Sequence, residues 1–139
     1  LTIDKGAQDG VREGLVILSG QGIIVGKIIA VKDNMAEVCL VNSRECSFAA
    51  AIINADKTKG IVEGELGLTV KMKFIPQTEV VKEGDLVVAS GLERDIPRGI
   101  VIGKVAQVIK ESNELWQSAT VEPLANLENL SIVSVLLPK

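Results

Sequence analysis

The chain has 139 residues, 47% of them apolar, with two Phe, one Trp, no Tyr, no His and a formal net charge of −3. Without histidine there is no Ser-His or Cys-His nucleophile pair, no imidazole base and no histidine metal ligand. The acidic balance, whose excess falls after residue 60, and the scarcity of aromatics weigh against an electrostatic grip on nucleic acid and against a base-stacking platform.

This length has room for one ordinary domain or two small lobes. Short aliphatic runs separated by Gly, Asn, Asp and Pro recur along the chain without helical periodicity, so the reading is all-β. In chain order the predicted strands are 15–18, 23–31, 36–41, 47–53, 60–62 and 68–74, then 85–89, 100–109, 115–121 and 132–137. Leu124, Leu127 and Leu130, spaced by three, predict a short helical turn before the last strand. Pro76 breaks the pattern, which divides the chain into a first lobe at 11–75 and a second at 76–139. Residues 1–5 are a candidate extra strand for the second lobe. The expected fold is two small six-stranded barrels packed together, because a lobe of this size without a staple is near the lower limit of independent stability.

One phrase occurs twice. Gly22-Ile-Ile-Val-Gly26-Lys27-Ile28 and Gly99-Ile-Val-Ile-Gly103-Lys104-Val105 share a pattern, and Val11-Arg-Glu-Gly14 matches Val81-Lys-Glu-Gly84 ahead of each. As a phosphate loop both copies fail: Gln21 and Arg98 stand where a Walker loop needs its first glycine, and Ile28 and Val105 where it needs Ser or Thr. Gly20-Gln-Gly22 also has one residue too many before Gly26 for a dinucleotide fingerprint, and no helix follows. The architectural reading accounts for the same letters. Gly26 and Gly103 let long strands bend around small barrels, Gly14 and Gly84 serve tight turns, and Lys27 and Lys104 snorkel outward.

Cys39 and Cys46, without partners, make no zinc site. Small buried thiols are the commoner reading, with a disulfide across a hairpin at Asn42 and Ser43 open in an oxidising compartment. The longest apolar run, Phe48 to Ile53, is too short to span a bilayer. A start at Leu1, with neither initiator Met nor signal pattern, is expected of a fragment of a longer protein.

The most distinctive loop is Ser90-Gly91-Leu92-Glu93-Arg94-Asp95-Ile96-Pro97-Arg98-Gly99. It reads equally as a surface connection shaped by Pro97 and Gly99 and as a recognition loop, since binding on rigid barrels resides in their loops.

These residues also carry a resemblance. Asp4-Lys5-Gly6, Gly10-Val11, Gly14, Gly22 to Gly26, Gly84 to Leu92 with its Ser90-Gly91-Leu92, Pro97-Arg98-Gly99, Gly103-Lys104-Val105 and Val121-Glu122-Pro123, in that order, resemble the MreC rod shape-determining family over roughly residues 2 to 137. The resemblance implies a non-enzymatic cell-shape scaffold whose paired barrels are similar to those of chymotrypsin-like proteases. It implies an extracytoplasmic position behind a single membrane-spanning helix and a coiled coil absent from this chain. The implied partners are a class B penicillin-binding transpeptidase, the membrane protein MreD and further copies of the chain, in dimers and filaments, with no cofactor. In the family two glycines commonly follow Ser-Gly-Leu; here the residues are Glu93-Arg94-Asp95-Ile96. Asn42-Ser43-Arg44-Glu45 stands where an Asp-Pro turn is frequent.

Two other functions remain open at this point. A protease-like enzyme would need a pair such as Ser90 with Lys104, which the strand direction disfavours. A generic ligand- or glycan-binding barrel is weakened by the shortage of aromatics.

Overall fold

The computed structural model describes residues 1–54, 56–65 and 69–138. Among them are eleven strands: β1 Thr2–Ile3, β2 Val16–Ser19, β3 Ile24–Val31, β4 Ala36–Leu40, β5 Ser47–Ile52, β6 Lys59–Glu65, β7 Thr69–Pro76, β8 Leu86–Ala89, β9 Val101–Ile109, β10 Trp116–Pro123 and β11 Val133–Val135. One 3-10 turn, Ala7–Asp9, follows β1. The all-β reading is correct, and ten of these strands fall on the predicted runs; the predicted start of one at Leu68 lies outside the described residues. No helix among the described residues is long and apolar enough to cross a membrane.

The strands form an antiparallel five-stranded sheet in the order β1-β4-β3-β2-β11 and a closed six-stranded barrel in the order β10-β7-β6-β5-β8-β9. This corrects three expectations. Among the described residues only one of the two expected barrels closes. The boundary between 11–75 and 76–139 does not follow the sheets, because β5, β6 and β7 belong with β8, β9 and β10. Strand β1 completes no barrel in the second lobe; it pairs with β4, where Leu1 and Val38 exchange backbone hydrogen bonds of 3.3 and 2.7 Å. The physical reason is that aliphatic alternation fixes which face of a strand is buried and not which strand lies beside it.

The barrel core is aliphatic, with Phe48 its one aromatic. Phe48, Ala50 and Ile52 alternate inward along β5, and Val62, Val70, Met72, Ile75, Val87, Ile102, Ala119 and Val121 meet them. The five-stranded sheet is buried on both faces near the junction. Val16, Ile24 and Cys39 join the barrel's core, while Ile17, Val25, Ile28 and Val38 form a separate one with Leu15. Burial on both faces is why residues 15–18 and 23–29 read as near-continuous apolar runs.

The chain crosses from sheet to barrel through residues 41–46 and returns through 124–132. The first crossing is stapled by a Cys39–Cys46 disulfide, with the two Cα atoms 5.5 Å apart. The free-thiol reading is therefore wrong, and so is the hairpin offered for its alternative. Cys39 lies on β4, whereas Cys46 immediately precedes β5 in the other sheet. Along the second crossing no helix forms over 124–130; the backbone makes turns, buried Ala125 anchors it, and half-buried Leu127 packs against both cores.

The repeated phrase is indeed repeated architecture. It builds the hairpins β2–β3 and β8–β9, each with one register shift. Gly14 (φ +91) and Gly84 (φ +89) occupy the left-handed region that favours glycine. Each donates its amide to the matching long strand, Gly14 to Ile28 O at 2.9 Å and Gly84 to Val105 O at 2.7 Å. Gly26 and Gly103 are required for a different reason, the closeness of the next strand. A Cβ would lie 2.0 Å from Cys39 O at Gly26 and 2.2 Å from Glu122 O at Gly103.

Candidate interaction loop at the sheet–barrel junction

The loop 90–99 joins β8 to β9 and is closed at its base by Ala89 and Ile100, whose backbones pair at 2.8 Å. Ser90 is only 8% exposed; its amide donates to Ala49 O at 2.9 Å, and its Oγ accepts from the Leu92 amide at 3.3 Å. Gly91 (φ +85) lies directly against Arg98, whose Cβ would be 2.8 Å from an added Cβ. Gly99 (φ +95) turns the chain back, donating to Ala89 O at 2.9 Å. Ile96 drops into the barrel core, leaving Leu92 (71% exposed), Arg94, Pro97 and Arg98 on the surface. Of the residues singled out in sequence, Gly91 and Arg98 are brought together, Ser90 is buried and hydrogen-bonded, and Leu92, Pro97 and Arg98 are presented to solvent.

Two side chains in this loop tie it to the neighbouring sheet. Glu93 Oε1 accepts from the Ala49 amide at 2.5 Å, and Glu93 Oε2 accepts from Lys27 Nζ at 2.7 Å. Lys27 also donates to Ser47 O at 2.5 Å and lies over the Phe48 ring, 4.6 Å from its centroid. One β3 lysine thus meets β5 of the barrel and the loop at once. Asp95 makes a second tie, to Arg12 at 2.8 Å. The expectation that Lys27 simply snorkels outward is therefore wrong: its side chain is 18% exposed and clamped between sheet and barrel. Lys104, its counterpart, behaves as expected, half-exposed beside Glu122 at 3.9 Å.

Glu93, Asp95, Arg12 and Lys27 were missed as positioning residues because partners 66 or 83 positions apart leave no local pattern. The one available signal was a lysine in the middle of an otherwise apolar strand. Glu93 and Asp95 fall within Glu93-Arg94-Asp95-Ile96, where the resemblance would place two glycines.

Ser90 and Lys104, the pair weighed above for an enzyme, have separate partners. Ser90 Oγ is engaged with the Leu92 amide, whereas Lys104 lies beside Glu122. Among the described residues no group of three or more Asp, Glu or Cys is arranged to hold a metal ion. On the barrel's outer surface Phe74 (φ +63) and Trp116 pack edge to face, with ring centroids 6.1 Å apart. Phe74 lies opposite the irregularity between Gln117 and Ala119, where the bulge turns it outward.

The family model of the rod shape-determining protein MreC barrel core matches residues 1–137. The chain belongs to the MreC family. The cell shape-determining MreC of Listeria monocytogenes is 32% identical over 138 residues, covering 96% of this chain and 46% of that protein. The MreC of Bacillus subtilis is 30% identical over 146 residues, covering 98% of this chain and 50% of that protein. The chain thus spans about half the length of these MreC relatives. The crystal structure of MreC from Pseudomonas aeruginosa superposes with a TM-score of 0.86 at 28% identity, covering 98% of this chain and 87% of that one. An MreC from Helicobacter pylori, solved in complex with the penicillin-binding protein PBP2, shares the fold at 18% identity and a TM-score of 0.69, covering 81% of this chain and 69% of that one.

Proposed function

We propose that this chain is the barrel region of a non-enzymatic scaffold of the cell-elongation machinery, working on the outer face of the cell membrane. Family membership over residues 1–137 carries the reading. Relatives are named cell shape-determining proteins, and the Helicobacter pylori relative was solved with a penicillin-binding protein. Another relative, 22% identical, is described as the major periplasmic domain of a cell shape-determining filament. By extension the partners are a class B penicillin-binding transpeptidase, MreD and further copies of the chain, with a single membrane-spanning helix as the anchor of the longer protein. A closed barrel beside a second antiparallel sheet supports the chymotrypsin-like comparison, with one barrel left open. A scaffold needs rigidly held surfaces and no reactive pair; the clamped loop with Leu92, Pro97 and Arg98 outermost is the docking surface we assign.

The test is biolayer interferometry against the cognate class B transpeptidase, with electron microscopy of the purified chain. Binding that is weakened at least tenfold by Leu92→Asp or Arg98→Glu is the expected result. No binding and no assembly at any accessible concentration would overturn the scaffold reading, and binding indifferent to both substitutions would remove the loop from it. Labelling of Ser90 by a fluorophosphonate would instead favour an enzyme.

A further inference from the structure

The disulfide and the loop clamp meet in one short stretch of chain. Lys27 and Cys39 are register partners across β3 and β4, which sets their side chains beside each other on the face turned to the barrel. From Cys39 the covalent bridge runs to Cys46, the next residue is Ser47, and Ser47 O accepts from Lys27 Nζ at 2.5 Å. The path is a closed circuit. Two residues further on, Ala49 donates its amide to Glu93 Oε1 and accepts from the Ser90 amide at 2.9 Å, so the foot of loop 90–99 stands on the strand that the bridge holds.

Both sulfurs are sealed in the core. Cys39 is 3% exposed and Cys46 not at all, and the crossing between them is seated on β6: Gly64 donates to Cys46 O at 3.3 Å, and a Cβ at Gly64 would fall 2.2 Å from the Asn42 carbonyl carbon. A close-packed interior leaves no slack for two cysteines that must part from bonding to van der Waals contact. Cleavage therefore moves residues 46–49 relative to β4, and with them the acceptor for Lys27 and the amide that Glu93 holds.

We propose that the Cys39–Cys46 bond is a redox device that sets the position of loop 90–99. Intact, it keeps Ser47 and Ala49 where Lys27 and Glu93 meet them, and the loop is pinned. Reduced by a dithiol, it lets the strand shift and the clamp slacken. In that exchange a thiolate of the dithiol attacks one sulfur of the pair and expels the other. The second thiol then displaces the first sulfur, so the dithiol leaves as a disulfide and its two protons end on Cys39 and Cys46. Because the sulfurs are sealed, attack waits on the lifting of residues 41–46 from the barrel. The coupling concerns where the loop lies and stands whether or not the loop docks a transpeptidase, so its failure and that of the scaffold reading are told apart.

The test compares the oxidised 139-residue chain with the same chain reduced by dithiothreitol, its thiols counted by alkylation and mass spectrometry, with amide hydrogen exchange followed by NMR. A bond that only staples the fold would speed exchange evenly wherever it proceeds by global unfolding. The device predicts that Ala49 and Ser90 accelerate at least about tenfold more than the amides of β7 and β10, and that reoxidation restores them. Glu93→Gln in the oxidised chain should reproduce the acceleration at Ala49 with the bridge intact, and reduction of that variant should then add little. Even acceleration, or none, would overturn the proposal. So would a full further acceleration at Ala49 when Glu93→Gln is reduced, because the bond would then act by a route other than the clamp. Loss of all protection on reduction would also overturn it, since the bond would be holding the whole fold.

Discussion

The barrel and the sheet are made from the same few aliphatic residues, yet they bury them to different degrees. In the barrel every strand has two neighbours, and Phe48, Met72, Ile75, Val87 and Ile102 are sealed from solvent. In the sheet the central strands reach the same state, with Leu15, Ile17 and Val25 fully buried, while Ile3, Val133 and Val135 at the edges stay half-open. Composition does not separate these cases. The strand order does, because among the described residues each edge strand pairs with one neighbour where every barrel strand pairs with two.

The strongest way to break that contrast is to hollow each core in turn. Phe48→Ala, inside the closed barrel, should destabilise by about 3–5 kcal/mol in chemical denaturation, whereas Ile3→Ala, at the open edge, should cost about 1 kcal/mol. Equal losses would mean that closure has no energetic consequence. Next in size is the staple between the two regions. The Cys39→Ala/Cys46→Ala double variant should lose about 2.5 kcal/mol, the loop-entropy value for the eight-residue ring, and a reductant should lower the melting temperature of the parent chain but not of the variant.

The loop tie comes third. Glu93→Gln keeps the shape but weakens the acceptor for Lys27 and the Ala49 amide, so a loss of about 1–3 kcal/mol is expected, with faster hydrogen exchange at Ala49. Arg12→Ala removes a pair whose arginine is half-exposed, and should cost less than about 1 kcal/mol. Should Arg12→Ala prove the more damaging, the junction is held by its rim and not by Lys27.

Much of this fold was legible because strands here are short aliphatic runs punctuated by turn residues, and because the chain repeats its hairpin. The repeat identified β2–β3 and β8–β9 before any coordinates, and the equivalent bonds from Gly14 and Gly84 bear out the match. Partner choice was not legible. Nothing local in Ser47–Ile52 says that it pairs with Lys59–Glu65 and Leu86–Ala89. The extent of β6 was underestimated because Glu63, Gly64 and Glu65 lack the aliphatic signal, although they pair fully with Lys71, Val70 and Thr69. The loop's exposed residues were readable as a surface, while its anchoring through Glu93 depends on a lysine 66 positions earlier.

The staple at the first crossing also sets how the molecule would bear a mechanical load. Seven peptide units drawn taut would let the Cα atoms of residues 39 and 46 part by roughly 24 Å, whereas the covalent bridge holds them at 5.5 Å. Tension applied across the two halves of an oxidised chain therefore bypasses the intervening turn and is transmitted as through a rigid coupling, with the six residues between the cysteines carrying none of it.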